Sequence, residues 1–303
     1  MTNAADLDRD TILDGKNGSY STNIAEAWQI RQPLGGYLSA ISLRAVEKES
    51  TLPAPISYHC QFLNPATTGP AQVRVELIQR KRTMETFRVS LLQRQLPLLS
   101  ALVRTALSRN GPSYQTAKPP TVPPPVALHT ISDIFGEKTP SIYKSIETKF
   151  PDNGRAWLDW RIEDGPLVSS WHRFRDRCFG NAYLDAARLL ILADLTPYRA
   201  AMSAAQIQPH EAMPASVDLT VWFPHIDSTD AWLLSTAETR SSQDDYYSSD
   251  IRIWDSASRL ACSGTSIVVV RRHSQYKDQT KSALHSRGVS ITNRFGEPTL
   301  ESW

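Results

Sequence analysis

The sequence predicts an α+β protein of two similar halves, in each of which an antiparallel sheet packs against one helix. Two observations predict this class. A block of extended, apolar segments that opens at 56–63 recurs with the same rhythm in a block that opens at 215–223, with Phe62 and Trp222 in equivalent positions 160 residues apart. Each block also follows a segment with helical periodicity. A helix-and-sheet unit used twice commonly encloses a shared ligand cleft.

The first half is predicted to begin with a short strand at 20–28 and to continue with a helix at 38–50. Apolar residues recur there at helical spacing, at Leu38, Ile41, Ala45 and Val46. Four extended segments follow, at 56–63, 72–80, 86–93 and 98–107. Their imperfect alternation fits a curved antiparallel sheet with one face on a helix.

A proline-rich segment at 111–125 separates the halves, and six of its fifteen residues are proline. Proline cannot join a strand ladder and stiffens an extended linker. We therefore predict an N-terminal unit at 1–110, a linker at 111–126, a C-terminal unit at 127–272 and a polar C-terminal tail at 273–303.

The second half contains the strongest helix signal in the chain, at 182–195, which ends just before Pro197. Its apolar residues cover nearly the whole surface, so we expect a buried central helix. Asp194 is unusual in the last turn of such a helix, because it faces the unfavourable end of the helix dipole and a desolvation cost. Further strands are predicted at 143–148, 156–162, 169–173, 215–223, 231–240, 246–254 and 259–271.

The composition and the charge balance argue against several classes of function. With 33 basic and 31 acidic residues the formal net charge is +2, which gives no electrostatic footprint for nucleic acid or an anionic membrane. Three scattered cysteines indicate a reducing compartment. The acidic N-terminus lacks the apolar core of a signal peptide, and no segment reaches the ~18–20 apolar residues of a membrane helix. We expect a cytoplasmic protein, without membrane or nucleic-acid partners.

Several catalytic signatures are missing from the sequence. No Gly-x-Ser-x-Gly nucleophile elbow, phosphate loop or metal-ligand spacing occurs. We therefore expect no cofactor and no metal site.

Three motifs carry a resemblance to a known family. Pro33-Leu-Gly-Gly-Tyr37 precedes the first helix, Tyr58-His-Cys-Gln-Phe-Leu-Asn-Pro65 lies in the first long strand, and Ala215-Ser-Val-Asp-Leu-Thr-Val-Trp-Phe223 lies in its counterpart. Together they resemble acyl-CoA thioesterase II-like proteins over residues 15–272. The resemblance implies a double-hotdog fold, with two tandem hotdog units that each wrap an antiparallel sheet around a long central helix. Some fungal relatives accompany polyketide or terpenoid pathways, so secondary-metabolite biosynthesis is also open.

The resemblance implies a catalytic trio of an Asp, a Thr or Ser, and a Gln in the C-terminal half. Asp194 matches the Asp near the end of the central helix, and Ser216 matches the hydroxyl residue of the Ser-x-Asp strand. Thr265 stands at the glutamine position on the last strand. This is a departure from the family pattern, because threonine is shorter and offers one hydroxyl where glutamine offers an amide donor and a carbonyl acceptor.

Further site candidates come from the first half. His59 matches a family histidine on the first long strand. Gly35 and Gly36 offer backbone N–H groups at a helix start, where a thioester carbonyl could bind. The predicted substrate-binding residues are Gly35, Gly36, Tyr37, Tyr58 and Trp171, with further aromatics at Trp157 and Trp160.

Each candidate also has a structural interpretation. Asp194 could pair with Arg188 or Arg199, and Ser216 and Thr265 could be ordinary strand residues. His59 could be a satisfied core histidine, the two glycines could form a structural turn, and Asp218 could be a structural hydrogen-bonding residue. Only one of Trp171 and His172 can point inward, because they are adjacent on a strand.

Three hypotheses for the function follow. The first is a thioesterase-like hydrolase with Asp194 as general base, which acts on a hydrophobic acyl or polyketide-type substrate linked to CoA or a carrier. The second is a non-hydrolytic cyclase, dehydratase or isomerase of natural-product biosynthesis, which the Thr265 departure motivates. The third is a non-catalytic binding module. Exposed sheet edges and the resemblance suggest a homodimer.

Overall fold

The computed structural model describes residues 6–108, 111–152, 165–175, 180–207, 211–226 and 231–272. The polar tail at 273–303 and the predicted strand at 156–162, with Trp157 and Trp160, lie outside the described residues.

The N-terminal half contains a short first helix, one long helix and six strands. The helices are α1 (Leu7–Asp10) and α2 (Gly35–Glu49). The strands are β1 (Asp14–Lys16), β2 (Ser19–Ile24), β3 (Ala54–Phe62), β4 (Gly69–Lys81), β5 (Met84–Gln93) and β6 (Leu96–Ala106). Helix α2 begins three residues before the predicted segment 38–50, because its first turn contains two glycines that carry no apolar periodicity.

The C-terminal half contains four helices and seven strands among its described residues. The helices are α3 (Ile131–Phe135), α4 (Ile142–Ser145), α5 (Ala182–Leu195) and α6 (Pro197–Ala205). The strands are β7 (Ile146–Lys149), β8 (Leu167–Phe174), β9 (Ala212–Ser216), β10 (Asp218–Trp222), β11 (Leu233–Gln243), β12 (Tyr246–Trp254) and β13 (Leu260–Arg272). The predicted strand at 143–148 is helical in its first half, and the sequence analysis missed α6.

The described strands form one continuous antiparallel sheet that crosses both halves. Its order is β1-β2-β4-β5-β6-β3-β10-β13-β12-β11-β8-β7, with β9 also paired to β13. Strands β3 and β10 join the halves, with Asp218 opposite Gln61 at one end and Trp222 opposite Ser57 at the other. Two helix-and-sheet units that share one sheet make the double-hotdog fold that the sequence predicts.

The two long helices pack against each other in opposite directions inside this sheet. The start of α2 lies against the end of α5, where Gly36 contacts the α5 backbone. At the other end, the Asn181 side-chain amide donates to Glu47 of α2 at 2.7 Å. Every residue of α5 from Tyr183 to Leu195 is buried, as its apolar sequence predicts. None of the helices within the described ranges is long and apolar enough to cross a membrane.

The linker lies along the surface of the C-terminal half. Residues 111–124 have no regular secondary structure. The Gln115 side chain accepts the Leu260 N–H at 2.8 Å and donates to the Ser258 carbonyl at 3.0 Å. The proline-rich segment is therefore docked on the C-terminal half by polar contacts.

Candidate active site

A cavity of about 630 Å³ lies where the start of α2 meets the end of α5. Its walls come from both halves: the segment before α2, the residues after β3, helix α6, strand β9 and the end of β13. Gly35, Asp194 and Ser216 all line it. Three residues that the sequence predicts for the site are thus brought together in one cavity.

Two hydrogen bonds hold the Asp194 carboxylate. Its Oδ2 accepts the Gly36 backbone N–H and its Oδ1 accepts the Ser216 hydroxyl, each at 2.7 Å. Asp194 is only 7% exposed, and it forms no ion pair with any described residue. Arg188, one of its possible structural partners, is paired with Asp185 instead.

Burial governs the protonation of Asp194. Desolvation raises the pKa of this carboxyl group, and the hydrogen bonds from Ser216 and Gly36 lower it by less, so that the pKa lies above its ordinary value. A carboxylate whose pKa approaches the working pH is a better general base than a normal aspartate. The site therefore contains a group suited to take a proton from water.

The two glycines are needed for the close contact between α2 and α5. A Cβ at Gly36 would lie 2.7 Å from the Ile191 Cα and from the Leu190 carbonyl oxygen. A Cβ at Gly35 would lie 2.7 Å from the Phe62 ring. Since Asp194 takes the Gly36 N–H, the donor left for a substrate is the Gly35 N–H, which has no acceptor among the described residues.

A break in the predicted strand 215–223 orients Ser216. Strand β9 ends at Ser216 and β10 begins at Asp218, with Val217 between them. The Asp218 carboxylate accepts the Ile267 N–H at 2.8 Å, and the Val217 N–H donates to the Ile267 carbonyl at 2.8 Å. Asp218 thus has the structural role that the sequence analysis left open, since it fixes the bend next to the Ser216 hydroxyl.

The structure does not bring Thr265 to Asp194. Thr265 is exposed and does not line the cavity, whereas its neighbours Gly264 and Ser266 are buried on the opposite face of β13. The inward hydroxyl of this stretch belongs to Ser266, whose Oγ donates to the Asp218 carbonyl at 2.8 Å. The two-residue alternation of the strand is the sequence signal that separates the two positions.

His59 lies on the outer face of the sheet. Its Nδ1 is 3.4 Å from Thr220 Oγ1, and its ring meets the edge of Trp222 at 5.8 Å between centroids. Burial and the Arg104 charge both lower the pKa of His59. Tyr58, one position earlier, is fully buried on the opposite face. Neither of the two residues lines the cavity.

Tyr37 and Trp171 also lie away from the cavity. Tyr37 stacks on Trp28 at 5.5 Å between ring centroids and donates its hydroxyl to the Asp10 carbonyl at 2.6 Å. Trp171 donates its indole N–H to Pro123 of the linker at 3.0 Å. Its neighbour His172 is the inward-pointing member of that pair and is buried.

The sequence analysis missed several polar residues that line the cavity. These are Arg31, Gln32, Asn64, Arg199 and Arg271. Arg199 was considered only as a partner of Asp194, because Pro197 was taken as a helix end. Proline is also common at the first position of a helix, and here it begins α6.

The opposite end of the α2–α5 pair carries a different arrangement. Glu47, near the end of α2, accepts a hydrogen bond from Asn181 and is paired with the Arg44 guanidinium. The Glu47 carboxylate is thus held by a guanidinium and a side-chain amide, not by a backbone N–H and a hydroxyl as Asp194 is. The internal repeat therefore does not reproduce the Asp194 arrangement at this second position.

Comparison with known families supports the fold. The family model of the acyl-CoA thioesterase N-terminal domain matches residues 24–106, and that of the acyl-CoA thioesterase C-terminal domain matches residues 119–270. The second range contains Asp194 and Ser216. No curated protein sequence matches the chain.

Solved structures show the same architecture. A thioesterase II candidate from Thermobifida fusca YX has a TM-score of 0.75 at 21% identity, covering 90% of this chain and 100% of its own. Acyl-CoA thioesterase II TesB2 from Mycobacterium marinum has a TM-score of 0.72 at 20% identity, and the match covers 89% of this chain and 100% of that protein. A hot dog fold protein of unknown function from Alicyclobacillus acidocaldarius has a TM-score of 0.73 at 18% identity, and the match covers 88% of this chain and 97% of that protein. With both family models matched in order along the chain, this protein belongs to the acyl-CoA thioesterase family.

Proposed function

We propose that the protein hydrolyses acyl thioesters of CoA with Asp194 as the general base. The observation that carries this proposal is a buried carboxylate with a raised pKa that lines a cavity of about 630 Å³. Membership of the acyl-CoA thioesterase family supports the same reaction class.

In the proposed reaction, Asp194 takes a proton from a water molecule as the water oxygen attacks the thioester carbonyl carbon. The tetrahedral intermediate then collapses, the carbon–sulfur bond breaks, and the leaving thiolate receives the proton from Asp194. Each carboxylate oxygen of Asp194 has a second lone-pair direction besides the one used by Gly36 or Ser216. The two hydrogen bonds can therefore orient the base without blocking it.

The developing oxyanion needs donors that are in place before the reaction. The Gly35 N–H is one candidate, because it lies in the first turn of the 15-residue helix α2 and lines the cavity. The first N–H groups of a helix have no acceptor inside the helix, and the helix dipole favours negative charge there. We assign the thioester carbonyl to this helix start.

The rest of the cavity fits an acyl-CoA in two parts. Apolar side chains from Leu38, Leu195, Met202 and Ile207 supply walls for a hydrophobic acyl chain. Arg31 and Arg271 line the cavity and are exposed, so they can meet the phosphates of CoA.

A second candidate function is a non-hydrolytic reaction on a polyketide-type substrate. One observation favours it: among the described lining residues, no glutamine comes from the C-terminal half. Hydrolysis then needs another group to position water, and Gln32 from the N-terminal half is the amide that we propose for this role. Without such a group, Asp194 would act as an acid or base in a cyclisation, dehydration or isomerisation.

Product analysis in ¹⁸O-labelled water distinguishes these reactions. Purified protein is incubated with short, long and aryl acyl-CoAs, and the products are identified by mass spectrometry. Hydrolysis predicts free CoA and a carboxylic acid with one labelled oxygen. Labelled acid at the uncatalysed rate, or a product that keeps its thioester, would contradict the thioesterase proposal. Gln32→Leu should reduce the labelled product, with Gln61→Leu on the outer sheet face as its control.

A further inference from the structure

The ring of Phe62 lies against the helix start to which we assign the thioester carbonyl. A Cβ at Gly35 would lie 2.7 Å from the Cζ and 2.8 Å from the Cε1 of this ring. The same point lies 3.2 Å from Oδ1 of Asp194. The tip of the ring and the carboxylate of the proposed base therefore meet beside the α-carbon of Gly35. A carbonyl group bound to the Gly35 N–H is next to both of them.

Phe62 is held in this position by both halves of the chain. Its backbone N–H donates to the Val217 carbonyl at 2.9 Å, in the bend next to Ser216. Its ring packs against the hydrophobic core and also lines the cavity. Closely packed interiors yield little to added volume. The ring is therefore a fixed part of the cavity wall.

The start of α2 leaves only a narrow space in front of this ring. Leu34 and Leu38 line the cavity before and after Gly35, and residues four positions apart lie on one face of a helix. Gly35 is a gap without a side chain between these two leucines, and the tip of the Phe62 ring stands over the gap. Two leucines, an aromatic ring and a carboxylate thus border the space around the Gly35 N–H.

The acyl α-carbon must lie close to this space, because it is bonded directly to the carbonyl carbon. From there the acyl chain extends along the apolar wall that includes Leu38 and Leu195. A CH₂ group at the α-position presents only hydrogen atoms to the ring. Each methyl branch adds a carbon atom, which needs about 3.5–4.0 Å from the ring carbons. Forcing extra carbon atoms into a packed site is unfavourable.

We propose that Phe62 determines specificity at the acyl α-carbon, so that the substrates are CoA thioesters of acids that are unbranched next to the carbonyl. This inference rests on the proposed thioesterase function and narrows its substrate class. Phe62 acts by excluding branched acyl groups from the space beside Gly35 and Asp194, and it takes no part in proton transfer.

Binding of unreactive analogues tests this restriction separately from hydrolysis. The probes are CoA ketones in which a methylene group replaces the thioester sulfur, so that the carbonyl group is kept and cannot be hydrolysed. Calorimetry compares the valeryl and pivaloyl analogues, which are isomers with equal numbers of carbon atoms. The wild-type protein should bind the valeryl analogue about 10- to 100-fold more tightly than the pivaloyl analogue. The isovaleryl analogue, branched one carbon further along, should bind like the valeryl analogue. Equal affinity for valeryl and pivaloyl, or no binding of either, would overturn the proposal.

Two variants test whether Phe62 causes the preference. Phe62→Leu removes the tip of the ring and keeps an apolar side chain, so the preference for valeryl should fall to about threefold or less. Phe223→Leu is the matched control. Phe223 is also buried, donates its N–H to the Ile56 carbonyl of the other half at 3.1 Å and does not line the cavity.

The control variant should keep the full preference for valeryl. The ratio of affinities within one variant does not depend on the fraction of folded protein, and circular dichroism checks the fold of each variant. A preference that survives in Phe62→Leu, or one that is lost equally in Phe223→Leu, would contradict the assignment to Phe62.

Thiol release from the corresponding thioesters separates this inference from the proposed function. A binding preference for valeryl without any thiol release would refute hydrolysis and leave the role of Phe62 in place. Thiol release whose valeryl-to-pivaloyl ratio is the same in wild type and Phe62→Leu would refute the role of Phe62 and leave hydrolysis in place.

Discussion

The carboxylate of Asp194 accepts the backbone N–H of Gly36 at 2.7 Å, although the two residues are 158 positions apart and belong to different halves of the chain. The catalytic candidate is thus held by the start of the other half's central helix. The site forms only when α2 and α5 pack closely, and glycine at position 36 permits that contact.

Gly36→Ala should disturb both the fold and the site. The added methyl group would lie 2.7 Å from the α5 backbone at Ile191 and Leu190 and 2.9 Å from the Asp194 Cβ. We expect a loss of about 1–3 kcal/mol in the free energy of unfolding and a marked loss of activity. Urea unfolding and thiol release measure the two effects. Gly111→Ala is the control, because a Cβ at Gly111 contacts nothing within 4 Å, and equal behaviour of the two variants would contradict this account.

Asp194→Asn should remove activity and stabilise the fold at alkaline pH. Burial raises the pKa of Asp194 above its ordinary value of 3.8, so the folded state holds the proton more tightly than the unfolded state. Ionisation of Asp194 in the folded state therefore lowers the free energy of unfolding, and stability falls as the pH rises through the folded pKa. We expect an asparagine variant that is more stable than wild type at pH 8, with a gain that disappears towards pH 4. A variant that is less stable at pH 8 would show that ionised Asp194 stabilises the fold.

Ser216→Ala should shift the pH dependence of kcat/KM. The Ser216 hydroxyl bonds to Asp194 and lowers its pKa, so removal of the hydroxyl raises that pKa further. Because the base must be ionised, the acid limb of the profile moves to higher pH, and kcat/KM at neutral pH falls about tenfold. Thr265→Val serves for comparison, since Thr265 is exposed and outside the cavity. A similar shift in Thr265→Val would support the role that the family resemblance implies for this position.

His172 should make the fold sensitive to acid. The pKa of this buried histidine is lowered to about 3, against 6.5 for an ordinary histidine. Between these two pKa values the unfolded state binds the proton and the folded state does not. The free energy of unfolding is therefore highest above about pH 6.5 and declines as the pH falls. For one proton, the free energy of unfolding changes by about 1.4 kcal/mol per pH unit. Urea unfolding from pH 7 to 4 should show a shallower decline in His172→Gln, and an unchanged slope would exclude His172 as the cause.

The parts of the fold that depend on local sequence were predictable. The helix at 182–195 matches α5, because its apolar periodicity, its end before Pro197 and its length are all local signals. The repeated strands were also found, with shifts of a few residues at their ends. Asp194 and Ser216 were identified through the family resemblance, and the structure brings them together.

The parts that depend on long-range contacts were not predictable. The break between β9 and β10 is fixed by Asp218 bonding to Ile267, 49 positions later. The sequence analysis placed Thr265 in the site, but β13 points this residue outward, and the direction of a strand residue changes with a one-position error in alignment. Arg199 escaped notice because α6 was not predicted. The homodimer and the cytoplasmic location stay predictions.

Thiol release from acyl-CoA by wild-type protein and by Asp194→Asn tests the central claim most directly. Asp250→Asn is the matched control, because Asp250 lies on β12 and pairs with Arg240 outside the cavity. We expect steady thiol release from wild type and Asp250→Asn and a loss of at least about a hundredfold in kcat for Asp194→Asn. Undiminished release from folded Asp194→Asn would show that another group is the base and would contradict the account.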